Sequence, residues 1–119
     1  MEWKELLEEI YGLDKQDDEG NIYDWYKEAL EWNVTNIIYH KHDAFNYDAE
    51  YMIVFEKDND GKIYFAKDYH CSCGGFGEID PEAYDNKELF IEVVKKWSTD
   101  FDSNPEQAEI LKALGVSVD

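Results

Sequence analysis

Residues 51–66 read YMIVFEKDNDGKIYFA, two apolar runs separated by a turn-forming connector. The runs Tyr51–Phe55 and Ile63–Ala66 are rich in β-branched and aromatic residues, which favour strands. The connector DNDG at residues 58–61 is typical of a tight turn, because these residue types tolerate left-handed backbone. The stretch therefore predicts a hairpin. Both runs are apolar on both faces at their centres, so we expect helices to cover the sheet on at least one face.

Helices are predicted on the N-terminal side of this hairpin. Apolar residues recur every three or four positions before Gly12, which predicts a one-faced helix ending there; they are Trp3, Leu6, Leu7, Ile10 and Tyr11. A second helix is predicted from Tyr23 to Trp32, with Asn21 or Asp24 as its cap. The β-branched and aromatic run Val34–His40 then predicts the first strand of the sheet.

Helical spacing returns on the C-terminal side of the hairpin. Apolar positions between Leu89 and Trp97 predict a third helix. The pair Asn104-Pro105 predicts the start of a fourth, which ends at Gly115. The sequence therefore predicts a single α+β domain over residues 1–119. Its three-stranded antiparallel sheet would have two N-terminal and two C-terminal helices, in the order α-α-β-β-β-α-α.

Negative charge dominates the composition. The chain has 29 acidic residues against 11 basic ones, a net charge of −18 at pH 7, and every basic residue is lysine. Arginine supplies the planar fork that grips phosphate at two points, so its absence argues against binding nucleic acid or nucleotides. The same charge argues against an anionic membrane. We expect a basic protein surface as the partner, and a monomer or homodimer.

The acids are spread along the whole chain. Residues 1–20, 21–60 and 61–119 each carry a net charge of −6, so the charge is not a terminal tail. The predicted partner-binding residues are the acids of the first helix, the loop after it and the central turn: Glu5, Glu8, Glu9, Asp17, Asp18, Glu19, Asp58 and Asp60. The chain opens without a basic region followed by an apolar run, which favours a cytoplasmic location.

The segment His70-Cys71-Ser72-Cys73 is the one candidate for chemistry. His70, Cys71 and Cys73 could bind zinc, with His40 or His42 as a fourth ligand. The spacing is C-x-C and there is no second cysteine pair, and free cysteines are often buried core residues instead. The strongly negative chain also raises the pKa of a thiol, which argues against a reactive thiolate. No catalytic residue is predicted, and no cofactor beyond this possible zinc.

The stretch IYFAKDYHCSCG at residues 63–74 resembles an element of small uncharacterised phage and mobile-element proteins. In those proteins a strand enters a His-Cys-Ser-Cys turn that is followed by glycine and an aromatic residue. The resemblance implies a phage-type origin, where small acidic proteins include anti-CRISPR and anti-restriction inhibitors. The predicted function is non-catalytic occlusion of a basic nucleic-acid-binding surface on a nuclease or defence complex. An immunity protein against a basic toxin and a small zinc or thiol protein are the alternatives.

Overall fold

An antiparallel sheet of four strands lies at the centre of the computed structural model, which describes residues 2–45, 48–70, 75–97 and 105–116. The strands are β1 (Val34–Phe45), β2 (Asp48–Lys57), β3 (Ile63–His70) and β4 (Glu82–Tyr84). They lie side by side in chain order, so each pairs with its sequence neighbour. The predicted α+β class is confirmed, whereas the predicted count of three strands is wrong. The additional strand, β4, has only three residues and no β-branched one, so its sequence gave no strand pattern.

Two pairs of helices cover the two faces of this sheet. They are α1 (Trp3–Tyr11), α2 (Asp24–Leu30), α3 (Lys87–Lys95) and α4 (Pro105–Ala113). Neighbouring side chains of a strand point to opposite faces. Accordingly, Ile53 and Phe55 of β2 belong to a core with α1 and α2, and Val54 belongs to a second core with α3 and α4. The expectation of a helix-covered sheet is therefore confirmed on both faces.

The predicted hairpin joins β2 to β3. Phe55 pairs with Tyr64, and the chain reverses over residues 58–61. Asp58 and Asn59 have left-handed backbone, with φ of 59° and 51°, and Gly61 has φ of 78°. Aspartate, asparagine and glycine tolerate this region better than other residues, so the turn forms where its sequence indicates.

The first strand is longer than its apolar run. β1 continues past His40 to Phe45 and pairs with β2 in a regular register over that extension. The extension is mostly polar, so residue type alone did not indicate a strand there. Hydrogen bonding to the apolar β2 stabilises this polar segment as a strand. Two register shifts, between Val34 and Asn36 and between Ile37 and Tyr39, interrupt the first half of the strand.

The N-terminal helices pack through the predicted apolar positions of α1. Trp3, Leu6, Leu7, Ile10 and Tyr11 are all buried. The indole N–H of Trp3 donates to the carbonyl of Ala29 in α2 at 2.7 Å, which ties the two helices together. α2 is shorter than predicted and has Tyr23 at its cap position, with no side-chain cap hydrogen bond. Asn21 and Asp24 are therefore not its caps.

The C-terminal helices form the second layer. Phe90 and Val94 of α3 and Ile110 of α4 are fully buried against Val54 and Phe65 of the sheet. α4 begins at Pro105 as predicted, and Gly115 follows its end with φ of 85°. The predicted cap Asn104 lies outside the described residues.

Candidate functional site

The two helical layers carry very different charges. Residues 2–31, which form α1, the following loop and α2, contain eleven acids and three lysines, a net charge of −8. Residues 87–97 and 105–116, which contain α3 and α4, have four acids and four lysines, a net charge of zero. We call the outward side of residues 2–31 the acidic face. Residues 2–31 therefore hold −8 of the net charge of −18, and the described parts of the two helical layers differ in charge although the thirds of the chain do not.

Most of the predicted partner-binding acids lie on the acidic face. Glu5, Glu8 and Glu9 belong to α1, and Asp17, Asp18 and Glu19 to the loop after it. Asp58 and Asp60 lie in the turn between β2 and β3 instead.

The orientation of α1 separates that turn from the loop. The Trp3 ring lies 4.8 Å from Phe55, centroid to centroid, and the Tyr11 ring 5.7 Å from Tyr51. α1 therefore runs antiparallel to β2, and its C-terminal end points away from the β2–β3 turn. The structure does not bring Asp58 and Asp60 together with the acids of the loop.

Two of the predicted partner-binding acids on this face have structural partners. Both carboxylate oxygens of Glu8 accept hydrogen bonds from Lys15 Nζ at 2.8 Å, and Tyr26 Oη donates to it at 3.1 Å. The hydrogen bond from Lys15 chiefly lowers the pKa of Glu8. Asp17 Oδ1 accepts the backbone N–H groups of Asn21 and Glu19 at 2.9 Å, which lowers the pKa of Asp17. Glu8 and Asp17 therefore hold the loop in shape.

The acids of the β2–β3 turn also build local structure. Asp60 accepts a hydrogen bond from Tyr64 Oη at 2.5 Å and from the backbone N–H of Lys62 at 2.9 Å. The Tyr64 bond chiefly lowers the pKa of Asp60, and it raises the pKa of Tyr64 to about 12. Asp58 forms an ion pair with Lys57 at 3.4 Å. These contacts account for both acids as parts of the turn.

The remaining predicted acids of the acidic face project into solvent. Glu5, Glu9, Asp18 and Glu19 are exposed. Further exposed acids of the same face were not among the predicted partner-binding residues: Glu2, Asp24, Glu28 and Glu31. The four-residue spacing of Asp24 and Glu28 on a predicted helix was the available signal, since such residues share a helix face.

Exposed apolar side chains are also concentrated on the acidic face. Three of the five large hydrophobic residues that are most exposed among the described ones lie in the loop between α1 and α2. Leu13 is 95% exposed, and Ile22 and Tyr23 are each 40% exposed. The Tyr23 ring stacks on Trp25, with centroids 5.8 Å apart. The acidic face thus combines charge with the aromatic and aliphatic groups typical of protein interfaces.

The histidines predicted as metal ligands separate into two places. His42 and His70 flank the Phe76 ring, at centroid distances of 6.3 and 4.5 Å. His40 pairs with Ile53, which pairs with Ala66, four residues along β3 from His70. Four strand residues span about 13 Å, so His40 and His70 do not converge on one point.

Zinc binding stays a prediction for His42 and His70. Cys71 and Cys73 lie outside the described residues, and within the described ranges no group of three histidine, cysteine or acidic side chains could hold a metal ion.

A cavity of about 520 Å³ opens where α1 ends over the sheet. His42 and His70 line it, together with Glu8, Glu9, Ile10, Gly12, Leu13, Asp14, Ala44, Asp48, Ala49 and Phe76. Asp14 accepts the backbone N–H of Phe76 at 3.3 Å, which fixes the Phe76 ring in the cavity wall. A side chain on the adjacent Gly75 would overlap the Asp14 carboxylate, so any other residue there would make that carboxylate move. We call this space the α1-end cavity.

A scan against protein-family models found no match, and searches of curated proteins and of solved structures found none either. Across the described ranges, no helix is both long enough and apolar enough to cross a bilayer.

Proposed function

We propose that this chain is a non-catalytic binding domain that uses its acidic face to occlude a basic, nucleic-acid-binding surface of another protein. The partner class is a nuclease or a defence complex, and the role is that of a phage-type counter-defence inhibitor, anti-CRISPR or anti-restriction. The chain would act in the cytoplasm of a bacterial host. Immunity against a basic toxin uses the same surface chemistry and is the close alternative.

The observation that carries this proposal is the charge difference between the two helical layers. A net charge kept only for solubility gives no reason for the two helical layers to differ. Here residues 2–31 carry −8, whereas the described stretches containing α3 and α4 carry zero. The exposed Leu13, Ile22 and Tyr23 on the same face supply apolar contacts inside the charge. Of these residue types, tyrosine is enriched among the few residues that carry most of the binding energy of protein interfaces.

The exposed acids of α1 offer a row of negative charges, as a strand of nucleic acid does. Carboxylates three or four residues apart on a helix lie about 5–6 Å from each other. Each strand of duplex DNA presents a phosphate about every 3.4 Å along the axis. Glu5 and Glu9 have this helical spacing and are exposed on α1. A row of such groups can satisfy lysine and arginine side chains that otherwise contact phosphates.

The test is competition with duplex DNA for a panel of restriction endonucleases and CRISPR effector nucleases. A fluorescent duplex bound to each nuclease is titrated with the protein at about 50 mM salt, and its anisotropy is measured. We expect the duplex to be displaced from at least one nuclease. The direct affinity of the protein for that nuclease should fall as salt rises to about 200 mM, since screening weakens contacts between exposed charges.

A matched pair of variants identifies the face. Glu5→Gln with Glu9→Gln removes two charges four residues apart from α1, and Glu88→Gln with Glu92→Gln does the same on α3. All four side chains are exposed, and both helices have nine residues. We expect the α1 variant to compete about fivefold less well, because two exposed ion pairs contribute about 0.5 kcal/mol each. Equal effects from both variants, or no displacement from any nuclease, would contradict the proposal.

Zinc binding is the second candidate, favoured by the shared position of His42 and His70 in the α1-end cavity. Elemental analysis of the purified protein tests it. Stoichiometric zinc that is lost in a Cys73→Ser variant would support a zinc protein. Absence of zinc from protein purified in zinc-supplemented buffer would contradict this second candidate. The proposed binding function would then be the one that stands.

A further inference from the structure

The α1-end cavity has an apolar floor beneath the edge of the acidic face. Ile10, Ala49 and Phe76 line it and are buried, at 5%, 6% and 6% exposed. Its volume is about 520 Å³, and Glu9, which lines it, is exposed to solvent. A space of this size lies within the range of about 300–1,000 Å³ found for ligand pockets.

Carboxylates and one unusually exposed leucine surround the opening. Glu9 and Asp48 line it, and neither is buried. Glu8 and Asp14 also line it, but Glu8 binds Lys15 and Tyr26, and Asp14 binds the Phe76 backbone. Leu13 lies at the same opening with 95% of its surface exposed, more than any other large hydrophobic residue among the described ones.

We propose that the α1-end cavity receives an arginine side chain of the basic partner, which anchors that partner on the acidic face. This inference rests on the proposed function, because it names the group that the acidic face holds most tightly. The aliphatic part of the arginine would lie against Ile10 and Leu13. Its guanidinium would lie between the Glu9 and Asp48 carboxylates, next to the aromatic ring of Phe76.

Arginine fits this set of groups better than other occupants. Its planar, weakly hydrated guanidinium contacts aromatic rings and binds carboxylates at two points. Lysine carries the same charge on a compact, strongly hydrated ammonium group. Moving that group next to the apolar floor therefore costs more hydration free energy. An anion would meet four carboxylates at the opening. A second copy of the chain would bring another net charge of −18 and no arginine at all.

The experiment fills the cavity without changing charge. Ala44 lines the cavity and is exposed on β1, at one edge of the sheet, and Ala83 is exposed on β4 at the other edge. Ala44→Trp places a large side chain in the cavity, and Ala83→Trp is the matched control. Binding of a blocked six-arginine peptide is measured by calorimetry at low salt. We expect Ala44→Trp to lose about tenfold or more in affinity, as for an interface anchor, and Ala83→Trp to bind like the wild type.

A second pair of variants tests the same cavity in case Ala44→Trp does not fold. Leu13 packs so little that Leu13→Ser should fold normally, and Leu89→Ser on α3 is its control, since Leu89 is also exposed. We expect only Leu13→Ser to weaken peptide binding. In NMR spectra of the wild type, the arginine peptide should shift the Ala49 methyl and Phe76 ring signals. A six-lysine peptide should bind more weakly and shift them less.

The outcomes separate this inference from the proposed function. Wild-type and Ala44→Trp proteins that displace DNA from the same nuclease equally well would overturn the arginine anchor and leave the acidic face in place. Equal binding of lysine and arginine peptides, with equal loss in Ala44→Trp, would overturn the choice of arginine. Failure of the wild type to displace DNA from any nuclease would contradict the proposed function itself, whatever the peptides do.

Discussion

At the scale of single residues, one hydrogen bond joins α1 to the sheet through the middle of the core. The hydroxyl oxygens of Tyr11 and Tyr51 lie 2.6 Å apart, and both side chains are buried. Burial raises the pKa of Tyr51 to about 12 and also raises the pKa of Tyr11, so both groups stay protonated at neutral pH. One hydroxyl donates to the other, so each has a hydrogen-bond partner in a place that water reaches poorly.

We expect Tyr11→Phe to lower the free energy of unfolding by about 1–3 kcal/mol, because it leaves the Tyr51 hydroxyl buried without its partner. Adding Tyr51→Phe to that variant should recover part of the loss, since the double variant buries no unsatisfied hydroxyl. Urea unfolding of the four proteins in this cycle measures the coupling. Losses that simply add would show that the two hydroxyls do not depend on each other.

At the scale of elements, the helices differ in how their first turns are satisfied. The Asn86 side chain accepts the backbone N–H of Leu89 at 2.8 Å, so α3 begins with a capped turn. α1 has Glu2 at the same position and no side-chain cap hydrogen bond. α1 instead depends on its buried face, which includes Trp3, Leu6 and Leu7. Both a local cap and tertiary contacts therefore stabilise α3, whereas mainly tertiary contacts stabilise α1.

Replacing the cap of α3 should therefore have a defined cost. We expect Asn86→Ala to lower the free energy of unfolding by about 1 kcal/mol, the usual effect of losing such a cap. Asn86→Asp keeps an acceptor at the same place and should unfold close to the wild-type denaturant concentration. Chemical denaturation measures both. A loss as large in Asn86→Asp as in Asn86→Ala would show that the contact to Leu89 is not what stabilises the helix start.

At the scale of the whole molecule, the sheet lies between a negatively charged helical layer, α1 and α2, and a neutral one, α3 and α4. Residues 2–31 hold eleven acids on one side of it, and Lys15, one of their three lysines, already binds Glu8. Repulsion among exposed carboxylates is screened over about 10 Å at 0.1 M salt. The acidic face therefore costs stability at low salt, and the layer of α3 and α4 does not.

The matched charge variants test this difference without any partner. At about 10 mM salt we expect Glu5→Gln with Glu9→Gln to raise the melting temperature above that of Glu88→Gln with Glu92→Gln, because only the former relieves the acidic face. Both pairs remove one first-turn glutamate, so the effect on the helix dipole is shared. The difference should vanish at about 1 M salt, where the Debye length is about 3 Å. A difference that survives high salt would point to a packing effect instead.

Local patterns accounted for much of this fold. The β2–β3 hairpin and the buried face of α1 follow from turn chemistry and from helical spacing, both of which lie within a few neighbouring residues. β4 and the polar end of β1 are strands because they pair with β3 and β2, which are apolar. Such pairing joins distant residues, so the local sequence does not indicate it. The predicted caps of α2 were wrong because Tyr23 takes the cap position, and its backbone N–H donates to the carbonyl of Lys15 at 2.9 Å, outside the local pattern.

Only part of the candidate site could be predicted from the sequence. Acid content and spacing indicated Glu5 and Glu9, but they could not show that Asp58 and Asp60 serve the turn. The charge difference between the layers depends on which helices share a face of the sheet, a property of the tertiary fold. The α1-end cavity depends on it as well, because Leu13 and Ala44 are 31 positions apart in the chain.

The unequal helical layers also contribute an electric dipole across the sheet, negative toward α1 and α2. A basic surface exerts a torque on such a dipole before the two proteins touch, so the acidic face would already point toward the partner on arrival. Random encounters between proteins fail mainly because most orientations are unproductive. We therefore expect the placement of the charge, more than its total of −18, to shorten the rotational search.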